Sequence, residues 1–294
     1  MRILYGAVAI AILGCVERNP FPEPPEDIYL ELEKLLAFVQ QAAWKQEEYG
    51  EDLKRFIERT VRYVDANRER LLADAIAGTA EVRPIAIQGL GFAGGGWSRE
   101  ALIKVLADPD PALRERAIQA LALLQSRGKA KPEELPRRRI EEALSSTFSR
   151  EVVQALFFFS TSTAYAEDDA LLGRIEERLA HPAREARVQA ARTLTIHRRE
   201  RSVPALRRAL TDSEPLVRIN AVAGLAAILQ SGALPQVIPL LADSHPDVVQ
   251  FSAELLAHLA PRGILYRCAA DGDTHDKPGP CGKCGAERIP VPRD

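Results

Sequence analysis

Along most of this chain apolar positions return with the period of a helix. Ala86, Ala117, Ala155, Ala190, Ala221 and Ser252 serve as anchors; four residues after them stand Leu90, Leu121, Phe159, Leu194, Leu225 and Leu256. Four residues before them stand Val82, Leu113, Glu151, Ala186, Val217 and Val248. Apart from Glu151, every one is apolar or small, and positions i−4, i and i+4 form one stripe of a helix. By subtraction the anchors lie 31, 38, 35, 31 and 31 residues apart, so the stripe belongs to a repeated unit. A second apolar stripe precedes each anchor helix, as in Leu102-Val105-Leu106, Leu171-Ile175-Leu179, Val203-Leu206-Leu210 and Val237-Leu240-Leu241. Each unit is therefore predicted to be a helix, a tight turn and a helix.

The turns carry their own chemistry. Pro111, Pro182, Pro215 and Pro246 fall at helix starts, where a missing N–H costs nothing. Asp108, Asp212 and Asp243 each precede such a proline by three residues and can accept from exposed amides. The consensus Asp-x-x-Pro-x-Val-Arg-x-x-Ala-x-x-x-Leu resembles the short HEAT repeats of bacterial proteins. The resemblance implies an all-α chain, an α-α superhelix of about six HEAT-like (armadillo-like) units over residues 78–260. Hairpins of that kind bury their faces only by stacking, which leaves one continuous surface for a partner. Residues 27–77 are also helical but off the repeat: Leu30, Leu32, Leu35, Leu36 and Phe38 lie in one helix, and Leu53, Phe56, Ile57, Val61 and Val64 in the next. They are read as an N-terminal cap.

The first residues have a different pattern. Arg2 precedes an apolar run from Ile3 to Leu13, too short for a membrane span of about 20 residues. Ile12-Leu13-Gly14-Cys15 resembles the lipobox of bacterial prolipoproteins, which implies a signal peptide over 1–14 and lipidation of Cys15. Residues 15–26 hold Pro20, Pro22, Pro24 and Pro25 and are expected to form an extended tether. The expected location is the bacterial cell envelope, on the periplasmic face or the cell surface, with the membrane reached through acyl chains.

Composition narrows the function. Of 294 residues 39 are Lys or Arg and 41 are Asp or Glu, a net charge of −2, and no segment forms a basic stripe, so nucleic acid is not an expected partner. His181, His197, His245 and His258 are scattered and no Ser or Cys of the repeats keeps company suggestive of a nucleophile with its base, so no catalytic residues are expected. Short HEAT-type repeats also occur in bilin lyases, which keeps a lyase-like enzyme as a minor alternative.

Several motifs admit two readings. Arg83, Arg114, Arg187 and Arg218 recur three residues before the anchor; they form either an anion-binding row or a structural ladder to the turn aspartates of neighbouring units, and the ladder is preferred. Gly89-x-Gly91-x-x-Gly94 matches a dinucleotide fingerprint in letters, but it closes a predicted helix instead of opening one, so no nucleotide is expected. Gly91, Gly94, Gly95 and Gly96 are instead read as a helix stop and flexible connector, with Ser98 capping the next helix. In Phe157-Phe158-Phe159 the third ring fits the core, so Phe157 and Phe158 are candidate partner contacts.

Residues 261–294 form a small irregular tail with three of the four cysteines. Cys281 and Cys284 are spaced to grip one tetrahedral ion, Cys268 offers a third thiolate, and His275 is the best fourth ligand. Tyr266-x-Cys268 followed by Lys277-Pro278-Gly279-x-Cys281-x-Lys283-Cys284-Gly285 resembles the heavy-metal-binding domain attached to bacterial efflux and copper-handling proteins. That family has Pro-Met-His-Pro after its first cysteine; Ala269-Ala270-Asp271-Gly272 stands here, which turns the expectation from copper toward one Zn2+ per chain. In an oxidising compartment two of these cysteines can instead form a disulfide. Cys281-x-x-Cys284 is followed by Gly285, so haem attachment is not indicated. Taken together these readings predict an anchored scaffold for unidentified protein partners, with a metal-binding envelope protein as the alternative.

Overall fold

A computed structural model describes residues 28–43, 46–268, 270 and 272–293. Cys15 and the signal and tether segments lie outside the described residues. The fold is all-α apart from a small three-stranded sheet at the C-terminal end. The chain divides into two compact units, Met1–Ile140 and Glu141–Asp294.

In the first unit α1 (Ile28–Ala43) packs on α2 (Gln46–Ala66) and on α4, and α3 (Arg68–Ala77) pairs with α4 (Val82–Leu90). The next hairpin is α5 (Arg99–Val105) with α6 (Pro111–Ser126), and α4 lies along α6. Tyr29, Leu32, Leu35, Leu36, Leu53 and Val64 are buried. The Tyr29 hydroxyl donates to Asp74, tying α1 to α3.

The division between the units falls within helix α7 (Arg137–Ala143). In the second unit follow α8 (Ser149–Ser160), α9 (Asp169–Glu177), α10 (Arg184–His197), α11 (Val203–Ala209), α12 (Pro215–Leu229), α13 (Leu234–Val237) and α14 (Pro246–Leu259). The second helices stack in order, α8 on α10, α10 on α12, α12 on α14, while α9, α11 and α13 each pack on the helix that follows. All six anchors are fully buried, and so are Leu90, Leu121, Phe159, Leu194 and Leu225. Leu256 is only half-buried, because no further hairpin follows α14.

The one charged member of the stripe is also buried. Glu151 accepts a hydrogen bond of 2.6 Å from the Ser146 hydroxyl, so its carboxylate enters the core edge with a partner. Pro215–Ala242 is long and apolar enough to span a membrane by composition. Its apolarity has a local cause: α12 buries Val217, Ala221, Val222 and Leu225 between α10 and α14.

The glycine-rich connector differs from its predicted role. The Gly94 amide donates to Asp65 Oδ1 at 3.0 Å, and Trp97 Nε1 donates to the same oxygen at 3.1 Å. From the other side Arg127 Nη1 donates to the carbonyls of Gly91 and Ala93, with its guanidinium 5.7 Å from the Phe92 ring centroid. The connector is pinned rather than flexible, and a Cβ at Gly94 would stand 2.3 Å from Asp65 Oδ2. Glycine is there for close approach, not for mobility. Ser98 precedes α5 but makes no cap bond; its hydroxyl is buried and without a partner.

The tail forms β1 (Ile264–Cys268), β2 (Thr274–His275) and β3 (Arg288–Pro292) in the antiparallel order β2-β1-β3. Strand β3 lies against α13 and the turn before it, so the tail rests on the last hairpin. Two prolines in a strand are tolerated because β3 is an edge. Pro290 and Pro292 share one parity, whereas the odd-numbered residues bond toward β1, as the Arg293 amide does to the Gly263 carbonyl at 2.9 Å.

Candidate functional site

Nine residues before each of the last five anchors stands a residue that closes its turn. The side chains of Asp108, Ser146, His181, Asp212 and Asp243 accept from the amide two residues on, at distances of 2.8 to 3.1 Å. The aspartates therefore cap the turn rather than the helix; α6 is capped by Asp110, which accepts from the Ala112 amide. Sequence reading singled out the three aspartates and passed over Ser146 and His181, which the count from the anchor would have found.

Each turn aspartate is also held from behind. Arg83 donates to Asp108 at 2.6 Å, Arg187 to Asp212 at 2.8 and 3.0 Å, and Arg218 to Asp243 at 2.8 and 2.6 Å. In each pair the arginine precedes the aspartate by 25 residues, so it reaches from one repeat to the next. The same arginines secure their own turns: Arg187 Nη1 donates to the carbonyls of His181 and Pro182, and Arg218 Nη1 to those of Asp212 and Ser213. Arg114 does likewise with Asp108 and Pro109, and the following turn carries Ser146 in place of an aspartate. Val152 replaces arginine where the next turn residue is His181. Burial raises the pKa of Asp212, but hydrogen bonds from Arg187 and the Glu214 amide outweigh it and hold the carboxyl below its ordinary range. The row is a ladder whose guanidinium groups are spent on carboxylates and carbonyls, not an open anion site.

The aromatic run is rearranged relative to its expected role. Phe158 is as buried as Phe159; their rings meet edge to face at 5.3 Å, and both pack on Tyr165. Helix α8 is covered by α10 and by the short 3-10 turn Thr163–Tyr165, which leaves Phe157 as the half-exposed ring. Phe158 is thus a core residue and not a partner contact. His197 donates from Nε2 to the Phe159 carbonyl at 2.9 Å, and burial lowers its pKa.

In the tail two turns share one construction. Gly272 and Gly285, both at positive φ, donate their amides to the carbonyls of Cys268 and Cys281, four residues earlier. The amides of Cys268 and Cys281 in turn donate to the carbonyls of Asp273 and Ala286, five residues later, each at 2.8 Å. The two knuckles bring the sulfur atoms of Cys268, Cys281 and Cys284 within 4.8 Å of one another, with Cys268 and Cys284 at 3.4 Å. A tetrahedral zinc thiolate site with bonds of about 2.3 Å places its sulfurs about 3.8 Å apart, so the donor set and its size fit that ion. The Lys283 and Cys284 amides point at the Cys281 sulfur and lower its pKa against the opposing effect of burial, favouring a thiolate ligand. Cys268 and Cys281 are buried and Cys284 is exposed. His275 pairs with Tyr266 on β2 and stands outside this group of three.

A family model described as HEAT repeats matches residues 173–257, from within α9 to within α14. No curated protein matches the chain. Among solved structures, an engineered protein is 17% identical with a TM-score of 0.50, over 65% of this chain and 97% of that one. A computationally designed armadillo repeat protein for modular peptide recognition is 15% identical with a TM-score of 0.48, over 64% and 97%. Human deoxyhypusine hydroxylase in complex with glycerol is 20% identical with a TM-score of 0.39, over 79% and 96%. Of these, the engineered protein with the TM-score of 0.50 speaks for the fold alone.

Proposed function

We propose that this HEAT-like repeat chain is an envelope scaffold, anchored by lipid at Cys15, whose stacked helices hold a protein partner. The observation that supports it most is the ladder. Bidentate Arg–Asp pairs fix α10, α12 and α14 relative to one another, so the surface they offer is ordered before anything binds. Such preorganisation lowers the entropy cost of holding a partner. The lipobox resemblance supplies the anchor, and a tether of four prolines spaces the folded body from the bilayer. Cys15→Ser is expected to move the protein from the membrane fraction to the soluble fraction when cells are fractionated. Unchanged membrane association, without acyl mass on the parent, would remove the anchor from the proposal.

The three thiols favour a second, compatible reading in which the tail holds a zinc ion through Cys268, Cys281 and Cys284. Bound there, the ion would cross-link the two knuckles and fix the sheet on α13. Elemental analysis of protein purified under reducing conditions is expected to give about one zinc per chain. The Cys281→Ser variant should lose it. Equal metal content in parent and variant would contradict this reading.

A further inference from the structure

The metal reading leaves a tetrahedral ion with three protein ligands. Structural zinc sites are closed by a fourth, whereas sites that exchange ligands leave that position to water. What this chain's residues place at the fourth position therefore decides which kind of site the tail carries.

His275 Nε2 is buried and has no hydrogen-bond partner. A buried imidazole nitrogen without a partner calls for a reason. Its place in the sheet supplies one. His275 pairs directly with Tyr266, and residues facing each other across an antiparallel pair project to the same side. Cys268 stands two residues beyond Tyr266 on β1, so it shares that side and is the diagonal neighbour of His275. Diagonal neighbours have backbones about 7–8 Å apart. A thiol, an imidazole and two metal bonds of about 2.0–2.3 Å span that distance.

The other acidic groups flanking β2 are already engaged. Asp273 pairs with Lys283, and Asp276 with Arg293. Both ion pairs bracket His275 in sequence and leave the imidazole as the uncommitted donor among the described residues of this hairpin.

Resting on the zinc reading, we infer that His275 Nε2 is the fourth ligand, so that the tail is a closed Cys3His site rather than an exchangeable one. The side chain reaches the ion by rotating about its own torsions while the β1–β2 register holds. Three thiolates with one imidazole form a structural donor set for zinc, and the methionine that would favour copper(I) is missing from the Cys268 turn.

Cobalt(II) titration of the full-length reduced protein tests this. The parent is expected to show near-ultraviolet thiolate-to-cobalt charge transfer and intense visible ligand-field bands of tetrahedral coordination. His275→Gln should keep the charge transfer, shift the ligand-field envelope, and bind cobalt about 10–100-fold more weakly, the range seen even for supporting residues of metal sites. Asp271→Asn should match the parent; in sequence Asp271 follows Cys268 by three residues, as Cys284 follows Cys281. If His275→Gln matches the parent in both band shape and affinity, or if Asp271→Asn carries the loss instead, the assignment of His275 is overturned. A parent that shows no thiolate charge transfer would instead overturn the zinc reading itself. Helical circular dichroism reports that the repeats of each variant stay folded, and unchanged thiolate charge transfer reports that the cysteine knuckles do.

Discussion

Replacing Phe158 by Ala is expected to destabilise the protein by about 3–5 kcal/mol, the cost of emptying a buried aromatic position. The ring is 0% exposed and meets both Phe159 and Tyr165, so truncation removes two aromatic contacts and opens a cavity between α8 and the 3-10 turn that covers it. Phe157→Ala is the matched control. That ring is half-exposed, and its loss should cost about 1 kcal/mol or less. Equilibrium urea unfolding, with unchanged slope for both variants, measures the difference. Equal, small effects at the two positions would mean that Phe158 faces outward, one of the two choices the sequence alone leaves open.

Arg218→Ala is expected to cost roughly 3–5 kcal/mol, because it strands a buried carboxylate. The side chains of Arg218 and Asp243 are each only 9% exposed, and Arg218 carries a two-pronged bond to Asp243 plus bonds to two carbonyls of its own turn. Arg218→Lys should recover little, since a single ammonium cannot reproduce the fork. The pH dependence has a definite sign. Arg218 first, and then the His245 amide, hold the Asp243 carboxyl below its ordinary pKa despite partial burial. A depressed folded pKa gives stability that is present above the ordinary carboxylate range and lost as pH falls through the folded value. The parent should therefore lose this contribution only below about pH 4, and the acid limb should flatten in Arg218→Ala. A variant as stable as the parent at neutral pH would show that the ladder is ornamental.

The sequence made the repeat visible because its anchors obey a steric rule that tolerates few exceptions. A helix packed on two neighbours needs Ala or Ser at closest approach and Leu or Phe one turn on, and those letters recur. The Arg–Asp pairing was also readable, since arginine is present where the following turn has Asp108, Asp212 or Asp243 and Val152 stands where it has His181, with Arg114 before the Ser146 turn as the exception. Other features depended on long-range neighbours that no local pattern announces. Nothing near Gly94 in sequence says that Asp65 will pin its amide, and nothing near Phe158 says that Tyr165 folds back over it. Ser98 has the letter of a cap but not the geometry. In the tail the cysteine spacing was legible, whereas β3 was hidden by two prolines that only an edge strand admits. The matching pair of cysteine turns was hidden as well, because it shows only in the backbone hydrogen bonds.

The constant separation within the ladder also bears on how a chain of this kind changes length over its history. Excision of residues 212–242, which is 31 positions, would place Asp243 where Asp212 now stands, 25 residues from Arg187. The surviving guanidinium would find a carboxylate, the surviving anchor alanine would meet a serine anchor, and the join would fall in a turn. A loss within the cassette that changed the 25-residue spacing would part the guanidinium from its carboxylate. Whole-cassette gain or loss thereby keeps the ladder paired, and the 35- and 38-residue units fall where Arg–Asp pairs are missing, at Ser146 and His181.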